Sequence, residues 1–397
     1  DVAPSRGLGD VYKRQLVDCE PEVNRSRTLY VPYMSVKLKG KSDNESANAS
    51  MSVRTGRECF RALTTPEAVT LVSSAGKVRA SVPAGSKATA DMVQTDEAFW
   101  SVFSFRFLSG AGFTRADCDA GLPRAVLSAT IARQLFGTTD VVGHTVQLNY
   151  IDYTVAGVVA DVSMLATAAY AQIWVPYTAA DAESLSWQDD TMGPMHAVIL
   201  AHSSVDFDAI RKETELLRQK YNDGLRDVEI FYRGQPDTQL AYLYRRWYAE
   251  PDVPGVMLRY GIVIAILLLV PAVNLSGMTL SRMRRRMAEI GVRKAFGATG
   301  GELIRQVFFE NFVLTLLAGV VGLALSYAAT FLLNDFLFSN STNAYLSGET
   351  ALTPGMLLSP WAFIAAFAFC LLMNVLSAGI PAWRASRMNI TDAINQR

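Results

Sequence analysis

Three stretches of the chain carry no charged side chain: Tyr260–Leu280, Phe312–Leu333 and Trp361–Trp383, of 21, 22 and 23 residues. At about 1.5 Å per residue each makes about 30–35 Å of helix, enough for a hydrocarbon core of about 30 Å. Buried helices of a large soluble protein fit less well, because soluble helices of this length usually carry a polar face. Before residue 254 the pattern changes. Arg124–Ser128, Val146–Leu148, Tyr153–Val159, Gln172–Val175, Ala197–Ala201 and Val228–Tyr232 are short, β-branched or alternating, and bounded by turn formers, which predicts strands. Asn149–Asp152 reads as a hairpin tip. Phe207, Ile210, Thr214, Leu217 and Tyr221 recur at helical spacing, with Asp206 or Ser204 as the cap. Ala129–Phe136 is a second short helix, stopped by Gly137, and Lys41–Ser50 is polar enough to read as a mobile loop. Strands interleaved with helices predict an α+β or open α/β domain of two lobes.

The expected fold class is therefore an α-helical membrane protein with a large α+β extracytoplasmic domain. Its expected parts are residues 16–254 outside, then spans at 257–280, 310–334 and 360–383. These are separated by a cytoplasmic loop 281–306 and an outer loop 335–359, with a cytoplasmic tail 384–397. Basic residues support this orientation. Ser281–Gln306 carries Arg282, Arg284, Arg285, Arg286, Arg293, Lys294 and Arg305 against Glu289 and Glu302, whereas Asn334–Pro360 carries no Lys or Arg. Trp247, Tyr248, Tyr260, Trp361 and Trp383 fall where interfacial rings would sit. An outer domain of this size needs export, so a fourth span is expected ahead of the visible three. Residues 1–15 read unlike the rest and resemble a translated sequencing adapter, so they are set aside.

Composition narrows the class further. Half the residues are apolar and 19% are charged, too apolar for a disordered chain. The 37 basic and 37 acidic side chains cancel, which gives no whole-chain reason for nucleic-acid binding. Cys19, Cys59, Cys118 and Cys370 are too few and too far apart for a disulfide scaffold, although a Cys19–Cys59 bridge is one available pairing.

Little in the sequence points to catalysis. His144, His196 and His202 lack metal spacing, and surface or packed imidazoles account for them. Gly40-Lys41-Ser42 ends like a phosphate loop, but Ser35 stands where its first glycine should be. No nucleophile elbow or zinc-protease motif is present. Asp96-Glu97 reads as an ordinary solvated acidic pair. The uncharged runs hold no ionisable group, which argues against an ion-coupled transporter. Ala318, Gly322, Ser326 and Thr330 recur every four residues, a small-residue face for close helix packing, set against chance in an Ala/Gly-rich run. In the basic loop, residues around Ile290 and Lys294 make a short helix that Gly297 ends, and Glu302–Phe309 starts another. The arginines there could equally serve topology and anionic lipid alone.

The loop Glu289-Ile290-Gly291-Val292-Arg293-Lys294-Ala295-Phe296-Gly297-Ala298 resembles that of FtsX-like permeases, as does the ending Pro381-Ala382-Trp383-Arg384-Ala385-Ser386-Arg387-Met388. The outer part resembles a MacB-like periplasmic core domain. Asp96–Phe103, Leu108-Ser109-Gly110, Ala132–Gly137 and Tyr153–Asp161 carry that likeness. The resemblance implies a permease subunit of a MacB-type ABC transporter in the bacterial inner membrane. It implies no catalytic, cofactor or metal site in this chain, with ATP bound by a separate cytoplasmic ABC ATPase. It places the ATPase contact at Glu289, Ile290, Gly291, Arg293, Lys294 and Gly297. The partners it implies are a second permease copy or a paralogue, a periplasmic adaptor, an outer-membrane channel and membrane lipid, with no nucleic acid. ATP-driven motion relayed outward (mechanotransmission) would export peptides, antibiotics or lipoproteins. A non-transporting regulator of a cell-wall hydrolase or sensor is the alternative.

Overall fold

The computed structural model describes residues 20–83, 85–164, 166–245, 250–267, 269, 292, 296–297, 299–332 and 364–373. The chain divides into two units, Asp1–Val253 with Asp335–Met356 and Pro254–Asn334 with Leu357–Arg397.

Strands dominate the first unit. They are β1 (Thr28–Val31), β2 (Met34–Leu38), β3 (Ala47–Ala49), β4 (Ala68–Ser73), β5 (Gly76–Ser81), β6 (Lys87–Thr95) and β7 (Phe107–Gly110). After these come β8 (Arg124–Ser128), β9 (Thr145–Leu148), β10 (Ile151–Val159), β11 (Ile173–Pro176), β12 (Met195–Leu200), β13 (Val228–Phe231) and β14 (Asp237–Thr238). Eleven of them form one sheet. Within it β6, β5, β9, β10, β8 and β11 close into a ring, because β11 also pairs with β6 in parallel, Ile173 to Met92 through Pro176 to Thr95. Closure removes the exposed edges that invite aggregation. Six strands leave a narrow interior, and small side chains such as Ala80, Ala90 and Ala125 help fill it beside Leu127, Leu148 and Ile173.

From the end of β6 the sheet continues as an open layer, β4–β12–β1–β14. Both faces of this layer are covered. Leu29, Val31, Leu71, Ala197 and Ile199 face one core, and Tyr30, Val72, Val198 and Leu200 face another. The period of two is there, but apolar residues occupy both phases, as in any strand buried on both sides. The first core is closed by the helix Phe207–Gly224, through Ile210 and Tyr221, and by a small sheet β13–β2–β3.

Several local readings are refined. The β9–β10 turn is Asn149-Tyr150, both at positive φ (48° and 71°), while Ile151 and Asp152 already pair with Leu148 and Gln147. The helix Ala129–Phe136 keeps its expected bounds. Ser128 caps it, and Gly137 ends it in the left-handed region, φ 78°. At Phe207 the N-cap position is Asp206, one of the two expected, but its side chain caps no helical N–H. Ser203 and Asp206 bond reciprocally around the 3-10 turn Ser204–Asp206, because a turn intervenes before the α-helix begins. Lys41–Ser50 is not simply a loop, since it contains β3, which pairs with β2. Cys59 is a buried free thiol, so it forms no Cys19–Cys59 bridge, and Cys19 lies outside the described residues.

The expectation of an α-helical membrane protein is overturned. The described fold is mixed α/β with a barrel-like sheet, and among the described residues no helix is long and apolar enough to cross a membrane. Helix is described at 253–267 and 364–373 only within the first and third runs' surroundings, and ten residues span only about 15 Å. The 33-residue helix Gly300–Leu332 carries Glu302, Arg305 and Glu310 in its first turns. The remainder of the expected spans, and most of the loops and tail joining them, lie outside the described residues.

Two glycines make the β7–β10 pairing feasible. Gly110 is at φ 66°, and a Cβ there would lie 2.2 Å from the Ala156 carbonyl oxygen; a Cβ on Gly157 would lie 2.6 Å from that of Ala111. The backbones approach too closely for any side chain, beside the register shift at Val158/Val159. Gly110→Ala should therefore destabilise the first unit by about 2–4 kcal/mol, from strain and overpacking together. Chemical denaturation of the full chain followed by tryptophan fluorescence measures this, and an unchanged midpoint would contradict it.

Candidate functional site

The motif Asp96–Phe103 sits where the ring meets the open layer. Only one residue pair, Val72 with Thr95, joins β4 to β6 in the ladder. Side chains extend the seam. The Thr95 hydroxyl donates to the Leu71 carbonyl (2.8 Å), and the Gln94 N–H donates to Ser73 Oγ (2.9 Å). Asp96 then accepts the Leu71 N–H at 3.0 Å and the Thr70 hydroxyl at 2.7 Å, so its carboxylate continues the ladder where the backbone stops. Arg61 lies 3.7 Å from that carboxylate and donates to Glu97 at 2.7 Å. Asp96 is 1% exposed, not the solvated acid its sequence neighbours implied. Burial pushes its carboxyl up to about 6, against the pull of Arg61 and of the two bonds it accepts.

Beyond Asp96 the chain turns into the helix Phe99–Val102 and an aromatic cluster. Trp100 packs against Phe99, Phe105, Phe107 and Phe113 with ring centroids 5.2–5.5 Å apart, and against the fully buried Trp174 at 6.4 Å. Such pairs contribute about 0.5–1.5 kcal/mol each beyond burial. The other motifs also serve the fold. Gly110 and Gly157 permit the close approach described above. Asp161 accepts the Thr130 N–H (2.8 Å) and hydroxyl (2.9 Å) at the start of Ala129–Phe136. The residues that carry the family likeness in the first unit thus hold its shape.

The reactive side chains are spread out or buried. Burial pushes the Cys59 and Cys118 thiols up to about 12, far from thiolate chemistry at neutral pH. His196 bonds Ser74 Oγ at 2.8 Å and the Pro32 carbonyl, and burial pushes its pKa down. His202 lies 3.9 Å from Glu67, and His144 packs on Phe136. Among the described residues no three His, Cys, Asp or Glu side chains gather as metal ligands.

At the other end of the head, Arg245 and Asp237 form an ion pair with side chains 1% and 3% exposed, one contact at 2.7 Å. Tyr242 stacks on Tyr30 at 4.6 Å. Together they clamp the helix Gln239–Tyr244, where the chain leaves the open layer, onto β1 and β14. Nothing in the sequence patterning marked Arg61, Asp237 or Arg245. Their partners are remote or lie beyond helical and strand spacings.

Of the proposed coupling residues, Glu289, Ile290, Gly291, Arg293 and Lys294 lie outside the described residues. Gly297 is described, at φ 93°, just after the Phe296 N–H bonds the Val292 carbonyl (3.2 Å). That is the geometry of a helix end. Thr299 and Glu302 then bond reciprocally, Thr299 N–H to the Glu302 carboxylate at 3.0 Å and Glu302 N–H to the Thr299 hydroxyl at 3.4 Å. This caps the helix Gly300–Leu332. Phe296, just before Gly297, is 89% exposed. Ala318, Gly322 and Ser326 are exposed on that helix, and Thr330 belongs to it too, although its side chain lies outside the described residues.

Residues 20–217 match the MacB-like periplasmic core domain, and residues 261–390 match the FtsX-like permease C-terminal domain. The chain belongs to the MacB/FtsX-type permease family. It is 25% identical over 298 residues to the pyoverdine export ATP-binding/permease protein PvdT of Pseudomonas aeruginosa, covering 75% of this chain and 41% of PvdT. It is 26% identical over 305 residues to the macrolide export ATP-binding/permease protein MacB of Chromobacterium violaceum, covering 77% and 43%. It is 25% identical over 301 residues to the ABC transporter permease YknZ of Bacillus subtilis, covering 75% and 68%. The chain thus spans about two fifths of the length of PvdT and MacB. The crystallised periplasmic region of MacB from Actinobacillus actinomycetemcomitans is 17% identical, with a TM-score of 0.36 over 51% of this chain and 90% of that one. As a MacB/FtsX-type permease, the protein is membrane-associated with an extracytoplasmic domain.

The Asp96 seam predicts a pH dependence of permease stability. Its folded carboxyl holds a proton more tightly than the unfolded one, whose pKa is 3.8, so acid favours the folded state. The Asp96 contribution is full below about pH 4 and is lost as the pH rises to about 6, a change of about 3 kcal/mol. Denaturant unfolding at about pH 4 and about pH 7 should therefore show the stability of the wild type relative to Asp96→Asn falling by about 3 kcal/mol between the two. Equal pH effects in the two proteins would contradict the assignment.

Proposed function

We propose that this chain is the permease subunit of a MacB-type ABC transporter, coupling ATP hydrolysis by a separate cytoplasmic ATPase to motion of its extracytoplasmic head. The observation that carries this reading is the order of the two family matches, a MacB-like periplasmic core followed by an FtsX-like permease C-terminal domain. The structure adds support in two places. Every family-like motif in the head serves packing, caps or strand pairing, which suits a part that is moved as a body. The buried Arg245–Asp237 pair and the Tyr30–Tyr242 stack fix the departing chain to the open layer, so displacement of that chain would pull on the sheet.

In this reading the protein resides in the bacterial inner membrane with its head in the periplasm. It works as a pair with a second copy or a paralogue, and ATP is bound by the ATPase alone. The ATPase contact is the loop at Glu289, Ile290, Gly291, Arg293, Lys294 and Gly297, and the face at Ala318, Gly322, Ser326 and Thr330 serves helix packing. A periplasmic adaptor, an outer-membrane channel and membrane lipid complete the set of partners. PvdT and MacB are named for export of pyoverdine and macrolides. The cargo proposed for this chain is a peptide, antibiotic or lipoprotein.

The test is the double substitution Arg293→Glu with Lys294→Glu in the membrane-reconstituted complex with its ATPase. The expected result is loss of substrate-stimulated ATP hydrolysis, by at least about tenfold, with membrane insertion intact. Unchanged stimulation would refute the assignment of the loop.

A further inference from the structure

The segment that leads into β1 and the helix Gln239–Tyr244 that leaves the open layer are far apart in sequence, yet both are tied to residues 166–170, between β10 and β11. Glu22 makes the first tie. Its side chain is 1% exposed. One carboxylate oxygen, Oε1, accepts the Ala168 N–H at 2.8 Å and the Ala169 N–H at 3.0 Å. The other accepts from Arg25 Nε at 2.7 Å. Hydrogen bonds to an ionised group are about twice as strong as neutral ones. The Pro21 carbonyl accepts the Ser104 N–H at 2.9 Å, which fixes the approach of the chain.

Tyr242 makes the second tie. Its hydroxyl bonds the Thr167 side chain, and its ring stacks on Tyr30 of β1 at 4.6 Å with the planes 14° apart. Thr167 therefore holds the exit helix, and the next two residues hold the entering segment. The same turn also reaches the ring. The Tyr170 hydroxyl donates to Asp91 Oδ2 on β6 at 3.0 Å, and Trp174 Nε1 on β11 donates to the Ala169 carbonyl at 3.3 Å. Within the turn the Tyr170 N–H bonds the Ala166 carbonyl at 2.7 Å, so these residues move as one piece.

We propose that residues 166–170 are a clasp on the two ends of the head, from which the entering segment and the exit helix are released together, ahead of the ring and the open layer. The ties fall on adjacent residues of one turn, so a shift of the turn that breaks one breaks the other. The turn is held by side-chain bonds rather than by a strand ladder, and segments held in that way open at lower free energy than core strands. Closed, the clasp keeps the two ends of the head from parting and seats Tyr170 on β6. The inference stands apart from the permease reading, since no ATPase, lipid or cargo enters it.

The test is hydrogen exchange of the detergent-purified full chain, read by mass spectrometry. In the wild type, peptides covering 166–170 and 239–244 should share one opening equilibrium to within about threefold, and it should exceed that of β8 and β10 at least about tenfold. Glu22→Gln keeps the side chain's shape and removes its charge. It should raise the opening of both peptides by the same factor, at least about fivefold. Tyr242→Phe keeps the stack on Tyr30 and loses the Thr167 bond. It should raise the opening of 166–170 as well as that of its own helix, because coupling between two sites is reciprocal. A helix 239–244 that does not respond to Glu22→Gln, a turn 166–170 that does not respond to Tyr242→Phe, or wild-type peptides that open only with the strands would each overturn the proposal.

Discussion

One buried carboxylate joins the two halves of the extracytoplasmic head. The strand β6 belongs to the closed ring over its length and to the open layer only at its end, where the ladder supplies a single pair, Val72 with Thr95. Asp96 takes over from there, accepting Leu71 N–H and the Thr70 hydroxyl of the neighbouring strand. A carboxylate can accept two bonds from an adjacent strand beyond the point where the backbone has turned away into a helix. The cost is desolvation, which Arg61 at 3.7 Å only partly offsets, and the raised pKa of Asp96 expresses the remainder. Ring, aromatic cluster and open layer all meet within a few residues of this point.

The features legible in the sequence were those that local chemistry decides. Arg124–Ser128 and Ala129–Phe136 could be read because a β-branched run gives way at Ser128, a capping residue, and the helix stops at Gly137, which accepts the left-handed conformation. What stayed hidden depends on partners far along the chain. Thr28–Val31 is buried on both faces and lacks the polar alternation that marks a half-exposed strand. The closure of β6 on β11 joins residues some eighty positions apart. Asp96 looked like half of a solvated acidic pair, and only the fold brings Thr70, Leu71 and Arg61 to it. Hydropathy misled in another way, since uncharged runs measure apolar content and leave the extent of a helix undecided.

In the first unit the motif residues pack, cap and permit close backbone approach; among the described residues none is assembled for bond-making. The thiols are held far from ionisation, and the imidazoles are either buried or scattered. In the proposed reading such a head is displaced as a body. The clamp of Arg245 on Asp237 makes the end of the open layer the place where such displacement would enter, with the Asp96 seam carrying it on to the ring.

The claim that the seam makes the head one cooperative body is tested most directly by native-state hydrogen exchange on the full chain. The account predicts that amides of the ring, on β5, β8 and β10, and amides of the open layer, on β4 and β12, open with the same free energy to within about 1 kcal/mol. Opening of the layer at a clearly lower free energy, with the ring still protected, would contradict it.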